Sequence, residues 1–175
     1  MSMNTNDTKP ASNNPMWANL FRKRPPWKQT AIRLLRETPI FEGMPRRVIA
    51  QLVDSMHRRV YRDQEAVFRE GDQGLGMYLV LSGQVSVSRE STELARLLPG
   101  DFFGEVALFG EQERTADAFA SGDTELIGFF RPDLEEWVER SPKQGSRVLT
   151  RLGKVLAQRL RASNERLSNE QFSDR

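Results

Sequence analysis

A chain of 175 residues with 38% apolar content can bury one core and its flanking segments, and is too short for two. It has no cysteine, which excludes a disulfide framework, a thiolate metal site and a cysteine nucleophile. Its 26 basic and 24 acidic residues leave +2, no argument for nucleic acid, and no stretch nears the roughly 18 apolar residues of a membrane span. The polar start also lacks the apolar run of a signal peptide, so a cytoplasmic location is expected.

Residues 1–16 are dominated by Asn, Ser, Thr and Pro, which cannot offset chain entropy by burial, and are expected to form a disordered tail. The segment 17–35 sets Trp17, Leu20 and Phe21 before a basic cluster, Arg22, Lys23 and Arg24, and Pro25-Pro26 read as helix breakers. Two readings follow for it. Its aromatic residues pack on the domain and leave the charges in water, or the stretch 17–36 docks on a partner or an anionic membrane surface. Ile32, Leu34, Leu35 and Ile40 suggest a short helix stopping before Pro39. Val48, Ile49, Leu52, Val53 and Met56 predict a second from Pro45 to His57.

From Arg59 the rhythm becomes that of short strands between turns. Apolar and polar residues alternate around Val60, Ala66 and Phe68; Met77 to Leu81 lead into a Ser82-Gly83 turn; Val85 and Val87 follow. The stretches "TELARLLPGDFFGEVALFG" and "RTADAFASGDTELIGFFRPDL" repeat the pattern, which argues for a small antiparallel sandwich or barrel. Then "RPDLEEWVERSP" reads as a short helix with Pro132 at its start. A long helix is predicted over 143–169, with Val148, Leu149, Leu152, Val155, Leu156, Leu160 and Leu167 on one stripe.

Gly71, Asp72, Gly74, the run Met77-Tyr78-Leu79-Val80 and Gly83 resemble the first signature of cyclic-nucleotide-binding domains, with Phe68 an uncommon occupant of one early position. Phe103-Gly104-Glu105-Val106-Ala107-Leu108, a five-residue spacer and Arg114-Thr115-Ala116, with Ala118 and Ala120, resemble the second, the phosphate-binding cassette. Two linked motifs in the expected order of elements are far more specific than a lone glycine motif. The resemblance covers about residues 36–168, and the domain it implies, C-terminal helix included, is set at 36–170. It implies an α+β fold in which an antiparallel β-roll of the double-stranded β-helix or jelly-roll type is flanked by N-terminal helices and a long C-terminal helix. The ligand it implies is a cyclic nucleotide, cyclic AMP being favoured over cyclic GMP on prevalence among bacterial-type members, with no metal.

Chemistry gives these residues compatible roles. The planar guanidinium of Arg114 can meet the exocyclic oxygens of a cyclic phosphate with a fork of charged hydrogen bonds. Gly104 allows close approach of backbone, and Glu105 to Leu108 can form a helical turn with N–H groups facing an anion. A carboxylate at Glu105 would repel the phosphate, so a sugar hydroxyl is its fitting partner. The competing reading is that Glu105 and Arg114 hold each other inside the roll.

The resemblance adds the ribose 2′-OH as the partner of Glu105, and the phosphate as the partner of Arg114 and Thr115. It further implies that the C-terminal helix caps the base: the stretch "QRLRASNERLSN" is similar to its counterpart in the catabolite-activator branch of the family. There Arg159 would lie near Glu105, with Ser163 and Asn164 at the purine edge. Asn164 replaces a hydroxyl residue, and its amide offers both donor and acceptor to either purine. Leu149, Leu152, Leu156, Ser163 and Leu167 approximate a seam for pairing two copies, against which Arg147, Arg151, Lys154, Arg159 and Arg161 would weigh.

After Asn169 only "EQFSDR" remains, too short for a recognition helix, so no direct DNA binding is expected. Metal-dependent roll enzymes of the cupin type need several His ligands, and this chain has only His57, read as a surface residue of the second helix. No nucleophile–base pairing points to hydrolysis, so no catalytic residue is assigned and the protein is expected not to be an enzyme. Two functions remain: a nucleotide sensor read by an unidentified effector protein, or a docking module of the same fold whose partner binding ignores nucleotide.

Overall fold

Pro25 and Pro26 start a helix rather than break one. In the computed structural model, which describes residues 25–90 and 92–173 without the side chains of 166–173, α1 spans Pro26–Glu37 with Pro25 as its N-cap. A proline at the first helical position lacks only an N–H that would have no intrahelical partner, and its fixed φ already suits the helix. α1 buries Ala31, Ile32, Leu34 and Leu35 in the main core, and Trp27 packs against the same cluster. The core therefore extends N-terminal of residue 36, and the apolar face of this part of the 17–36 segment is occupied by the protein's own core. The tail 1–16 and Trp17, Leu20, Phe21, Arg22, Lys23 and Arg24 lie outside the described residues, as does the side chain of Leu167.

α2 spans Arg46–Asp54 and buries Ile49, Ala50, Leu52 and Val53; the hydroxyl of Ser55 donates to the Leu52 carbonyl at 2.8 Å and closes it. The apolar spacing that extended this helix to His57 is misleading, because His57 begins strand β1, His57–Tyr61. Backbone pairing with β8, Thr124–Phe130, outweighs local helical spacing there, from His57 opposite Gly128 to Tyr61 opposite Thr124. The inward residue of β1 also differs from the alternation read around Val60. Val60 is 55% exposed, whereas Tyr61, at 1%, fills the roll.

The remaining strands are β2 (Ala66–Phe68), β3 (Gly76–Ser82), β4 (Val85–Arg89), β5 (Thr92–Leu97), β6 (Phe102–Phe103) and β7 (Asp117–Ala120). They form two four-stranded sheets, ordered β1-β8-β3-β6 and β2-β7-β4-β5, with every pair antiparallel. This is the antiparallel β-roll expected, with helices on both sides of it in the sequence. β3 is buried on both faces, which explains its unbroken apolar run. Met77, Leu79 and Leu81 join the helical core, while Tyr78 and Val80 point into the roll with Tyr61, Phe103, Ala118 and Leu126.

Two helices close the chain. α3 spans Arg131–Arg140, with the Asp133 carboxylate accepting from the Phe130 N–H at 3.1 Å, and α4 spans Pro142–Ser173. A Cβ added at Gly145 would lie 2.8 Å from Val138 Cγ2, so the two helices meet as closely as a glycine allows. Val148 and Leu152 are buried beneath α4, but Leu160 is 63% exposed. The stripe expected along the whole helix is thus divided. Its first half covers the protein's own core, and Leu152, at 1% exposure, is unavailable to the seam proposed for it. Arg151, counted among the charges opposing that seam, instead donates to the carbonyls of Ile40 and Glu42. Among the described residues no helix is long and apolar enough to cross a membrane.

Candidate functional site

The site is built where β6 leaves its sheet. Tyr78 pairs with Phe103, and the next residue, Gly104, takes φ +72°, a left-handed conformation that L side chains rarely adopt. A Cβ there would also strike the Arg114 guanidinium. The chain then forms a 3-10 turn, Glu105–Leu108, in which the Ala107 N–H donates to the Gly104 carbonyl at 3.2 Å.

The second part of the cassette is fastened to the glycine-rich turn of the first signature. The Arg114 N–H donates to the Asp72 carbonyl at 2.8 Å, the Gly71 N–H to the Arg114 carbonyl at 2.9 Å, and the Gly74 N–H to the Gln112 carbonyl at 2.9 Å. A Cβ at Gly74 would lie 2.7 Å from that of Ala107, so the two motifs touch because both contact residues are small. Their separation in sequence is bridged by backbone bonds.

Arg114 is 7% exposed. Its Nη1 donates to the Gly104 carbonyl at 3.1 Å and its Nη2 to the Gly76 carbonyl at 2.8 Å. The guanidinium carbon lies 4.1 Å from the Phe68 ring centroid and 5.8 Å from that of Tyr78. Among the described residues no carboxylate forms an ion pair with it, and its buried Nε–H has no hydrogen-bond partner. Burial pushes the guanidinium down from its ordinary pKa, against the opposing influence of Tyr78, Asp72 and Glu105. A cation so enclosed and so little neutralised fits an anion arriving from outside the chain, as a cyclic phosphate would.

Glu105, 4% exposed, faces the other way. Its Oε1 accepts from Arg159 Nη1 at 2.7 Å, and Arg159 Nη2 donates to the Phe102 carbonyl at 3.0 Å while its guanidinium carbon lies 4.7 Å from the Phe102 ring centroid. Glu105 and Arg114 therefore do not hold each other.

The structure joins Gly104 to Arg114 and Glu105 to Arg159 by direct contact, and Phe103 stacks on Tyr78 with ring centroids 5.6 Å apart. Ala107 and Ala116 are buried, whereas Val106 and Thr115 are at the surface. Ser163 and Asn164 lie on the exposed part of α4. Ser163 is one turn past Arg159 on the same face, and Asn164 is about 140° round the helix from it. Two surface clefts, one bordered by Thr38, Asp101 and Arg159 and one by Trp27, Arg58 and Glu125, are not lined by Glu105 or Arg114.

Two supporting residues escape a reading of the sequence. Phe68 reads there as a strand residue and an uncommon occupant of an early position in the first signature, with no tie to Arg114; its place under Arg114 follows from the β2–β7 register, in which it opposes Ala118. Arg131, which grips the cassette through backbone carbonyls, leaves no pattern in the sequence because every residue has a carbonyl. His57, expected on a helix, stands instead at the edge of β1, its ring 5.3 Å from that of Phe130 and its Nε2 3.6 Å from Asp133 Oδ2. Among the described residues no group of three or more His, Asp or Glu is placed to hold a metal.

Residues 58–141, which contain both motifs and the Arg114 cradle, match the family model of the cyclic nucleotide-binding domain. The chain belongs to this family. The cyclic-nucleotide-binding domain is 34% identical to the cyclic AMP receptor protein of Thermus thermophilus over 145 residues, 80% of this chain and 65% of that protein. It is 32% identical over 118 residues to a cGMP-dependent protein kinase of Caenorhabditis elegans, 59% of this chain and 15% of the kinase. Among solved structures, the Thermus thermophilus catabolite activator protein superposes with a TM-score of 0.69 at 35% identity, covering 77% of this chain and 64% of that one. The chain thus spans slightly under two thirds of the receptor protein's length.

Proposed function

We propose that the protein is a cyclic-nucleotide sensor that favours cyclic AMP over cyclic GMP and signals to a separate effector protein through repositioning of α4. One observation carries the reading: Arg114 is a buried cation with neutral partners, an unpartnered Nε–H and no paired carboxylate among the described residues, at the end of a cassette whose buried acid, Glu105, faces elsewhere. The cyclic phosphate binds Arg114 and Thr115, beside the backbone of Val106 and Ala107. Glu105 accepts from the ribose 2′-OH and shares Arg159 with it. Ser163 and Asn164 approach the base as α4 closes over it. The preference for adenine is supported by the similarity to a receptor whose name specifies cyclic AMP, which extends over more of the chain than the similarity to the cGMP-dependent kinase.

The sensor performs no chemical step on its ligand. Two copies pair along the exposed half of α4, with Leu156 kept in the seam and Leu160 taking the place of Leu152. Titration calorimetry with cyclic AMP and cyclic GMP tests the proposal, with saturable heat expected for both and tighter binding for cyclic AMP. Absence of heat and of any thermal shift at millimolar ligand would overturn it and leave the docking module whose partner binding ignores nucleotide.

A further inference from the structure

Arg131, the first residue of α3, reaches away from its helix into the cassette. Its Nη2 donates to the carbonyls of Gly110 at 2.5 Å, Ala107 at 3.2 Å and Gly74 at 3.4 Å, and its Nε to Ala107 at 3.3 Å. Its backbone N–H donates to the Leu75 carbonyl at 3.0 Å, and Glu111 Oε1 lies 3.9 Å from its Nη1. The carbonyls at the end of a short 3-10 turn have no partner within the turn, and one rigid fork of donors satisfies several of them at once. The first-signature turn, the 3-10 turn and the start of α3 are thereby fastened at a single side chain.

The far side of α3 is equally committed. Leu134 and Trp137 share one buried cluster with Val148 and Leu152 of α4, and Gly145 is in contact with Val138. Close-packed interiors transmit strain instead of absorbing it. We propose that Arg131 is a positioning residue that couples the cassette to α3, so that displacement of the Glu105–Leu108 turn is carried through α3 to α4. The sensor reading enters only as the source of that displacement, a bound cyclic nucleotide; the coupling itself is a property of the unliganded chain.

Amide hydrogen exchange on the full chain tests it. Arg131→Met keeps the length of the side chain and removes its donors. Without ligand it is expected to speed exchange at the Ala107 and Phe109 amides about tenfold, as loss of charged hydrogen bonds to one turn implies, with β3 and β8 unchanged. Arg131→Lys, a single point of donors, is expected to fall between. Gly104→Ala perturbs the cassette directly; its effect on exchange is expected to reach the first turn of α3 with Arg131 present and to stop at Leu108 in Gly104→Ala/Arg131→Met. Saturating cyclic AMP is expected to reproduce this contrast.

Wild-type exchange at Ala107 and Phe109 in Arg131→Met, or an undiminished response of α3 in the double variant, would overturn the proposal. Should Arg131→Met lose the protection of β3 and β8, Arg131→Lys decides the same point, since wild-type exchange in that variant refutes the coupling. A wild-type chain that binds neither nucleotide removes the sensor reading, while the ligand-free arms still decide whether Arg131 couples the cassette to α3.

Discussion

Arg114 and Arg159 both reach the Gly104–Glu105 corner, and they are held there in opposite ways. Arg114 is enclosed, bonded to two neutral carbonyls and lying over Phe68, with one N–H unmatched. Arg159 keeps its side chain 47% exposed and sits on the Glu105 carboxylate. A buried charge with incomplete compensation lowers stability, so its presence points to a use outside the fold, whereas an ion pair whose arginine is half-exposed loses less when that arginine leaves it. One arginine is enclosed in the floor of the site; the other is a half-exposed tie from α4.

The contrast depends on how α4 is anchored. Leu152 supplies that anchor from within the main core, and Leu152→Ala is expected to lower the unfolding free energy by about 2–5 kcal/mol in urea titrations. Where the variant remains folded, its cyclic AMP affinity should fall about threefold to tenfold, since Leu152 shares one buried cluster with Leu108 of the cassette turn and Trp137 of α3. An unchanged affinity would show that floor and anchor act independently.

Arg114→Ala presses on the other side of the comparison. Calorimetry should show cyclic AMP affinity reduced about hundredfold or more, which is about 2.7 kcal/mol, because the phosphate loses the buried cation of its cradle. Stability should change by only about 1 kcal/mol, since the carbonyls of Gly104 and Gly76 lose donors while a desolvated charge is also removed. Retained binding with a loss of several kcal/mol of stability would make Arg114 a structural pin.

How much of this can be read from the residues alone depends on whether a side chain or the backbone carries the information. The strands of the roll announce themselves through apolar alternation and glycine turns, and the two motifs locate Glu105 and Arg114. Periodicity cannot stop α2 before His57, because Met56 continues the helical spacing while the decisive pairing partner, Gly128, lies far along the chain. Pro25-Pro26 has the same composition as a helix breaker or a helix start, and only the burial of Ile32 and Leu35 chooses between them. Leu152 and Leu160 look alike on the stripe of α4, yet α3 covers one and leaves the other in solvent. The grip of Arg131 is out of reach for a related reason: carbonyl acceptors have no residue type.

The smallest expected effect falls on Arg159, and it is the most informative about how the ligand is shared. Arg159→Gln leaves an amide to donate to Glu105 while removing the charge. The arginine of the pair is half open to water and the amide still donates to the buried Glu105, so urea titration should find stability lowered by no more than about 1 kcal/mol. The cyclic AMP affinity should fall only about threefold to fivefold, because the ribose hydroxyl can itself donate to Glu105 once bound. Raising the salt concentration should weaken the effect further, since an exposed charge is screened over about 10 Å at 0.1 M ionic strength. If the affinity instead collapses as far as in Arg114→Ala, the two arginines form one rigid cradle, and α4 must already be closed around the site before the ligand arrives.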